Sequence, residues 1–325
     1  MPRLTKLEIA NFRGIHKGEV SGFADVTVLV GRNNSGKSTV AEAIVRLAAG
    51  ALVQMVGGNP EMDARAQQRV DPWSRMRGGA GGSGRPELWY RRDMTQPFRI
   101  AGKVGTTEFV VEQPKAPPAD RLPFVVPQPG TAPERAFLEA LAFFLPQDVN
   151  DAGIEMSAWP SILAHREDKF IAAAMQELFR PPVENVALLP DGSLMLLYPQ
   201  IGISLQGHGE GVRYALRCLI RMNQLQGTMF VMEHPESHEH PGALERLGEA
   251  VCRQARQADV QLLVTTHSRE CIRAFLEGSA KAGSTFAVLH LALTDGQLAV
   301  RGIDAETLRG VDRTGMDVRD LDLYA

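Results

Sequence analysis

Gly31-Arg32-Asn33-Asn34-Ser35-Gly36-Lys37-Ser38 fits the spacing G-x-x-x-x-G-K-[ST], with Thr39 directly after it. Each residue type has a job in phosphate chemistry. Glycines let the backbone curl so that successive N–H groups converge on phosphate oxygens. A helix opening at Gly36 turns the positive end of its dipole toward the same point. A lysine at position 37 reaches the β- and γ-phosphates, and a serine hydroxyl at 38 suits Mg²⁺. The run Asn33, Asn34, Ser35, Gly36, Lys37, Ser38 and Thr39 is therefore expected to cradle ATP with Mg²⁺.

Three later segments carry further chemistry. Thr228-Met229-Phe230-Val231-Met232-Glu233 is an apolar strand ending in a carboxylate, where a second Mg²⁺ partner belongs beside Ser38. A second apolar strand, Leu262-Leu263-Val264-Thr265-Thr266, ends in His267-Ser268. Upstream of both, Gly207-His208-Gly209-Glu210-Gly211-Val212-Arg213 is a glycine-spaced loop opening a helix. Alone, each is weak, since strands often end in Glu and a lone His is usually structural. The cluster His234, His238, His240 with Glu233, Glu236 and Glu239 does not read as a helical His-x-x-x-His pair with a supporting acid, so a transition-metal site is the lesser reading.

The elements that must position these residues can be read from periodicity. Val26 to Val30 is a β-branched buried strand leading into an Ala-rich helix from Lys37 to Ala49. Loops are expected over the glycine run 78–84 and the proline-rich run 114–133, with a strand pair between them over 98–111. Helices are predicted for 134–145, 160–179, 209–226 and 241–257. Hairpins are predicted over 183–198 and 285–300, turned at Asp191-Gly192 and Asp295-Gly296. Strands separated by helices give an α/β core with a partly parallel sheet.

Composition narrows the class. The chain has 325 residues, 44% hydrophobic and 22% charged, with net charge −3. That excludes a disordered, collagen-like or long coiled-coil chain and shows no global pull toward nucleic acid. Cys218, Cys252 and Cys271 are scattered, the N-terminus lacks a signal-peptide pattern, and no apolar run is long enough to span a membrane. A cytoplasmic protein with no membrane partner is the expectation. Between Glu61 and Lys103 arginines outnumber acids, near Trp73, Trp89 and Tyr90; a solvated face is favoured there over a DNA or protein contact.

In their order along the chain, these motifs resemble ABC-type ATPases of the SMC/RecF/OLD branch. Leu7-Glu8-Ile9-Ala10-Asn11-Phe12-Arg13-Gly14 is similar to that branch's opening strand, and Glu233-His234-Pro235-Glu236 to the signature of overcoming-lysogenization-defect proteins. The resemblance implies a P-loop fold of ABC-ATPase type, with a mixed-sheet core and a helical second lobe. It divides the chain into 1–115 (P-loop and small β-lobe), 116–202 (helical insert) and 203–325 (signature, Walker B carboxylate, switch histidine and final hairpin). It further implies that Glu233 is the Walker B carboxylate, that Gly209, Glu210 and Gly211 cap the γ-phosphate of the opposite protomer, that His267 is the switch histidine, and that Arg13 lies near the nucleotide. Gln96 is the one candidate for a Q-loop.

One departure matters. The branch normally has a second acid after the Walker B carboxylate, and here that position is His234. An imidazole accepts a proton but lacks the carboxylate's charge, so slow hydrolysis is expected, with ATP acting chiefly as glue in a head-to-tail dimer or larger oligomer. The leading functional reading is a defence ATPase that controls a separate effector such as a Toprim-type nuclease, because the stretch after His267 is shorter than an ordinary domain. A RecF-like ATPase that clamps DNA and a nucleotide-dependent scaffold are the alternatives.

Overall fold

The computed structural model describes residues 1–54, 88, 90–113, 124–126, 130–151, 153–314 and 317–319. The glycine run at 78–84 and most of the arginine-rich stretch lie outside them. Strands β1 (Leu4–Phe12) and β2 (Ile15–Ser21) form a hairpin, and β3 (Val26–Val30) runs through the P-loop into helix α1 (Lys37–Gln54). A second hairpin, β4 (Phe98–Val104) with β5 (Thr107–Gln113), is extended by β6 (Phe124–Val126). Helix α2 (Ala132–Ala140), strand β7 (Ala142–Phe144) and helices α3 (Gly153–Ala164) and α4 (Asp168–Leu178) follow, then β8 (Asn185–Leu188), β9 (Leu194–Leu197) and β10 (Gly202–Ser204). The last part alternates: α5 (Glu210–Asn223), β11 (Met229–Glu233), α6 (Pro241–Gln257), β12 (Gln261–Thr265), α7 (Arg269–Ala282), β13 (Phe286–Thr294), β14 (Gln297–Asp304) and α8 (Ala305–Thr314).

The main sheet has eleven strands in the order β6-β5-β4-β1-β2-β14-β13-β3-β12-β11-β7. One side of it, β13-β3-β12-β11-β7, is parallel and ends at the edge strand β7; beyond β13, β14 pairs antiparallel with β13 and parallel with β2, and the β1–β2 and β4–β5 hairpins complete the other side. The strand sequences explain the layering. Side chains alternate across a strand, and here both faces are buried, so the strands are apolar throughout. Val26, Val28 and Val30 of β3, Phe230 and Met232 of β11, and Leu262 and Val264 of β12 join one core with the helices α3 to α8. The intervening Leu29, Val231 and Leu263 join a second core with α1 and α2, which contribute Val40, Ile44, Leu47 and Phe137. Each such buried aliphatic or aromatic side chain contributes about 1.5–3 kcal/mol.

Helix α5, which opens at the glycine-spaced loop, is bolted to α3 by a buried ion pair. Arg217 Nε donates to Glu155 Oε1 at 3.0 Å, and Arg217 Nη1 donates to the Val149 carbonyl. Both side chains are almost fully buried.

Several local expectations need correction. Helix α1 does not stop at Ala49 but continues through Gly50 to Gln54. A mid-helix glycine costs about 1 kcal/mol, and burial of α1 against the sheet outweighs it. The segment expected to be one helix over 134–145 ends at Ala140, and Ala142-Phe143-Phe144 becomes β7. Such a short apolar run fits helix or strand equally, and the open edge of β11 takes it up, with Phe230 opposite Ala142. The 160–179 helix is two helices: α3 starts at Gly153 and contains Pro160, Arg166 adopts left-handed backbone at φ 60°, and α4 starts at Asp168. Residues 124–126 of the proline-rich run are strand rather than loop, and α5 ends at Asn223 rather than Gln226. The 183–198 hairpin forms, with Gly192 at φ 83°, and gains a third strand, β10.

Candidate functional site

Parallel strands in register end at one edge of the sheet, and ligands of open α/β sheets bind there. Glu233 of β11 lies opposite Thr265 of β12, and Thr265 opposite Leu29 of β3. The P-loop, His267 and Glu233 therefore leave the sheet side by side, although up to 236 residues separate them in sequence.

The loop needs its glycines. Gly31 has φ 137°, and a Cβ there would lie 2.3 Å from the Leu291 carbonyl oxygen. Asn34 and Gly36 are also left-handed, at φ 64° and 95°. Lys37 is 4% exposed. Its ammonium curls over the loop and donates to the Gly31 and Arg32 carbonyls, both at 2.8 Å, and to Ser35 Oγ at 3.3 Å. Burial pushes the Lys37 pKa down to about 8, against the opposing pull of Glu233 and Glu236. A cleft of about 750 Å³ opens over the loop, lined by Arg13, Gly14, residues Asn33 to Thr39, His267 and Leu293. That is within the range of small-ligand sites. Glu233 is 1% exposed at the end of β11. Together, Ser38 and Glu233 offer hard oxygen donors of the kind Mg²⁺ prefers, so the residues present fit the ion.

Beside the P-loop, the segment after β11 is organised by Glu236. Its Oε1 accepts the His267 N–H at 3.0 Å and lies 3.4 Å from His234 Nδ1. The His234 and His267 rings stack with centroids 5.0 Å apart and planes 4° off parallel. His234 itself has left-handed backbone, φ 47°, a conformation uncommon outside glycine. Burial raises the Glu236 carboxyl, but the bonds from His234, the His267 N–H and Thr266 hold it below its ordinary value. Burial, then the positive charge of Lys37, lowers the pKa of His267.

The other expected site residues are placed as follows. Arg13 lines the cleft with left-handed backbone, φ 52°, and its guanidinium is tied to the buried Glu42 of α1, with Nη2 donating at 2.7 Å. Gly209, Glu210 and Gly211 do not line this cleft. Gly209 caps α5, Glu210 Oε2 lies 3.2 Å from His238 Nδ1, and Gly211 packs against Glu239. His240 caps α6. The His/Glu cluster is thus spread over separate structural roles, and among the described residues no group of three or more His, Cys, Asp or Glu is arranged to hold a metal ion. Gln96 is exposed and does not line the cleft. The three cysteines are buried thiols, and among the described residues no helix is long and apolar enough to cross a membrane.

Residues 3–56 match the family described as AAA ATPase domain, and residues 185–272 match the AAA domain family of the putative AbiEii toxin, Type IV TA system. The Smc head domain of Pyrococcus furiosus, solved with an extended coiled coil and bound to the C-terminal domain of ScpA, superposes with a TM-score of 0.58 at 11% identity, covering 97% of this chain and 99% of that one. The fold is that of an SMC-like, ABC-type ATPase head. A second SmcHead, bound to the C-winged helix domain of ScpA, gives 0.58 at 12% identity over 94% of this chain and 99% of that one. Over 113 residues, 34% of this chain and 98% of the relative, the sequence is 27% identical to the uncharacterized protein MJECL11 of Methanocaldococcus jannaschii.

The structure adds three residues around the cleft over the P-loop. Glu236 was visible as the next acid after Glu233 in Glu-His-Pro-Glu, but nothing in that spacing assigned it two histidines. Glu42 lies one helical turn beyond Ser38, where only burial marks it as a partner for Arg13. Arg319 donates from Nη1 to the His267 carbonyl at 2.6 Å, and no sequence signal links residues so far apart.

Proposed function

We propose that the chain is an ATP-binding, slowly hydrolysing head that closes as a head-to-tail dimer or larger oligomer around ATP and Mg²⁺, and thereby controls a separate effector, a Toprim-type nuclease in a cytoplasmic defence system against phage or plasmids. The observation that supports the reading is that the residues expected to meet phosphate fall in two separate places. The P-loop, Arg13 and His267 share one cleft, with Glu233 close enough to act on Lys37, while Gly209, Glu210 and Gly211 stand outside it at the exposed start of α5. A helix N-terminus suits an anion, and this one is turned to a partner's nucleotide if two heads pair. The AbiEii-type match is compatible with a defence role, and Smc heads bound to ScpA are precedents for a head engaging a separate protein.

In this reading, residues Asn33 to Thr39 bind the phosphates and Lys37 swings from the Gly31 and Arg32 carbonyls onto them. Ser38 and Glu233 would hold Mg²⁺, which would neutralise phosphate charge. His234 and His267 stand at the terminal phosphate, with His234 in the place of the usual catalytic acid. Because a neutral imidazole is a poorer partner for the attacking water than a carboxylate, turnover is slow.

Mass measurement with and without ATP and Mg²⁺, on protein purified together with the product of its neighbouring gene, tests this. ATP should yield a dimer or larger assembly carrying the effector, and Lys37→Ala should abolish the ATP response. An assembly state indifferent to ATP, or turnover of tens per second by the isolated protein, contradicts the reading.

A further inference from the structure

The backbone of His267 is held on both sides. Its N–H donates to Glu236 Oε1 at 3.0 Å, and its carbonyl accepts from Arg319 Nη1 at 2.6 Å. Peptide units are planar, so holding the units before and after a residue restrains both of its backbone dihedrals and hence the direction of its Cα–Cβ bond, while stacking on His234, 5.0 Å away and 4° off parallel, sets the plane of the ring. The grip on the carbonyl side comes from a turn built for it. Asp317 takes the Arg319 Nε through Oδ1 at 2.9 Å and Oδ2 at 3.1 Å, which presents the guanidinium as a rigid fork. Val318 is buried at 5% exposure, and His290 Nε2 donates to the Arg319 carbonyl at 3.1 Å. His290 lies opposite Val30, the last residue before the P-loop. The turn at 317–319 is thus anchored to the same sheet edge that carries the phosphate loop.

We propose that Arg319 is a positioning residue for nucleotide hydrolysis: with Glu236 it clamps the His267 backbone, so that the imidazole at the cleft meets the terminal phosphate of a nucleoside triphosphate in one orientation. The inference rests on the ATPase reading above. Arg319 touches no nucleotide in this scheme and acts through His267 alone. Removing its guanidinium leaves Val318 buried and the His290 bond to a backbone oxygen intact, so the turn keeps its place.

The test compares Arg319→Ala, Arg319→Lys, His267→Ala and the Arg319→Ala/His267→Ala double variant. Each is read by binding of fluorescent ADP, binding of a fluorescent non-hydrolysable ATP analogue, and steady-state kcat. Loss of one charge-assisted hydrogen bond is expected to lower kcat and the affinity for the ATP analogue in Arg319→Ala by roughly tenfold. ADP affinity should stay within about twofold, since ADP lacks the phosphate His267 reads, and Arg319→Lys should recover part of the loss. On the His267→Ala background the arginine change should add less than about twofold, the signature of two residues acting as a unit. Wild-type behaviour of Arg319→Ala overturns the proposal, as does a parallel fall in ADP affinity or full additivity with His267→Ala. A wild-type protein that binds neither nucleotide overturns the ATPase reading itself, which separates that failure from failure of the clamp.

Discussion

Glu239 should make the protein's stability depend on pH in a way that a single substitution removes. The carboxyl is buried, 9% exposed, in the segment between β11 and α6. Burial raises its pKa from 4.5 to about 8, with Arg246 opposing. The folded value lies above the unfolded one, so ionisation is disfavoured in the native state. Stability is therefore unaffected by the group below about pH 4.5, falls as pH rises from there toward 8, and levels off above it. At 1.36 kcal/mol per pH unit, the full interval is worth on the order of 5 kcal/mol. Glu239 Oε2, however, lies 3.1 Å from where a Cβ on Gly211 would be, against the first turn of α5. The helix dipole favours the anion there by up to ~2 kcal/mol, which leaves about 3 kcal/mol. Glu239→Gln keeps the shape and removes the ionisation. Urea unfolding of both proteins should show little difference at pH 5 and a stabilisation of the variant by about 3 kcal/mol at pH 8.5, with unchanged m values. A difference that does not vary with pH, or a variant less stable at pH 8.5, would refute the reasoning.

Three further outcomes follow from the structure. Arg217→Ala strands Glu155 in the core between α3 and α5 and should cost about 3–5 kcal/mol in denaturant unfolding, whereas exchanging both partners for apolar residues of similar volume should cost far less. His234→Glu should raise steady-state ATP turnover if position 234 faces the attacking water, while Glu233→Gln should weaken Mg²⁺-dependent nucleotide binding in a titration whatever residue stands at 234; an unchanged rate in the first case removes His234 from the chemistry.

The chemistry-bearing segments were legible because they are local. A P-loop is one strand, one turn and one helix, and its glycines are dictated by positive φ at Gly31 and Gly36 and by the close approach of Leu291. The apolar strands β3, β11 and β12 announced themselves because both of their faces are buried, and α6 was expected over the residues it occupies, Pro241–Gln257. Where reading failed, the deciding partner was remote. Ala142 to Phe144 is strand because β11 has an edge to fill, α1 outlasts Gly50 because it is buried on the sheet, and the break at Arg166 has no breaker residue to mark it.

The sequence by itself determined which residue types could meet phosphate and Mg²⁺, since backbone curl, a lysine and two oxygen donors are properties of short segments. Only the tertiary structure decided what surrounds them. Register between parallel strands brought Glu233, His267 and Lys37 to one edge, kept Gly209 to Gly211 out of their cleft, set Glu236 between two histidines, and delivered Arg319 to a carbonyl 52 residues away. Hydrogen bonds and burial of that kind act between chain segments brought together by packing, and no spacing along the chain encodes them.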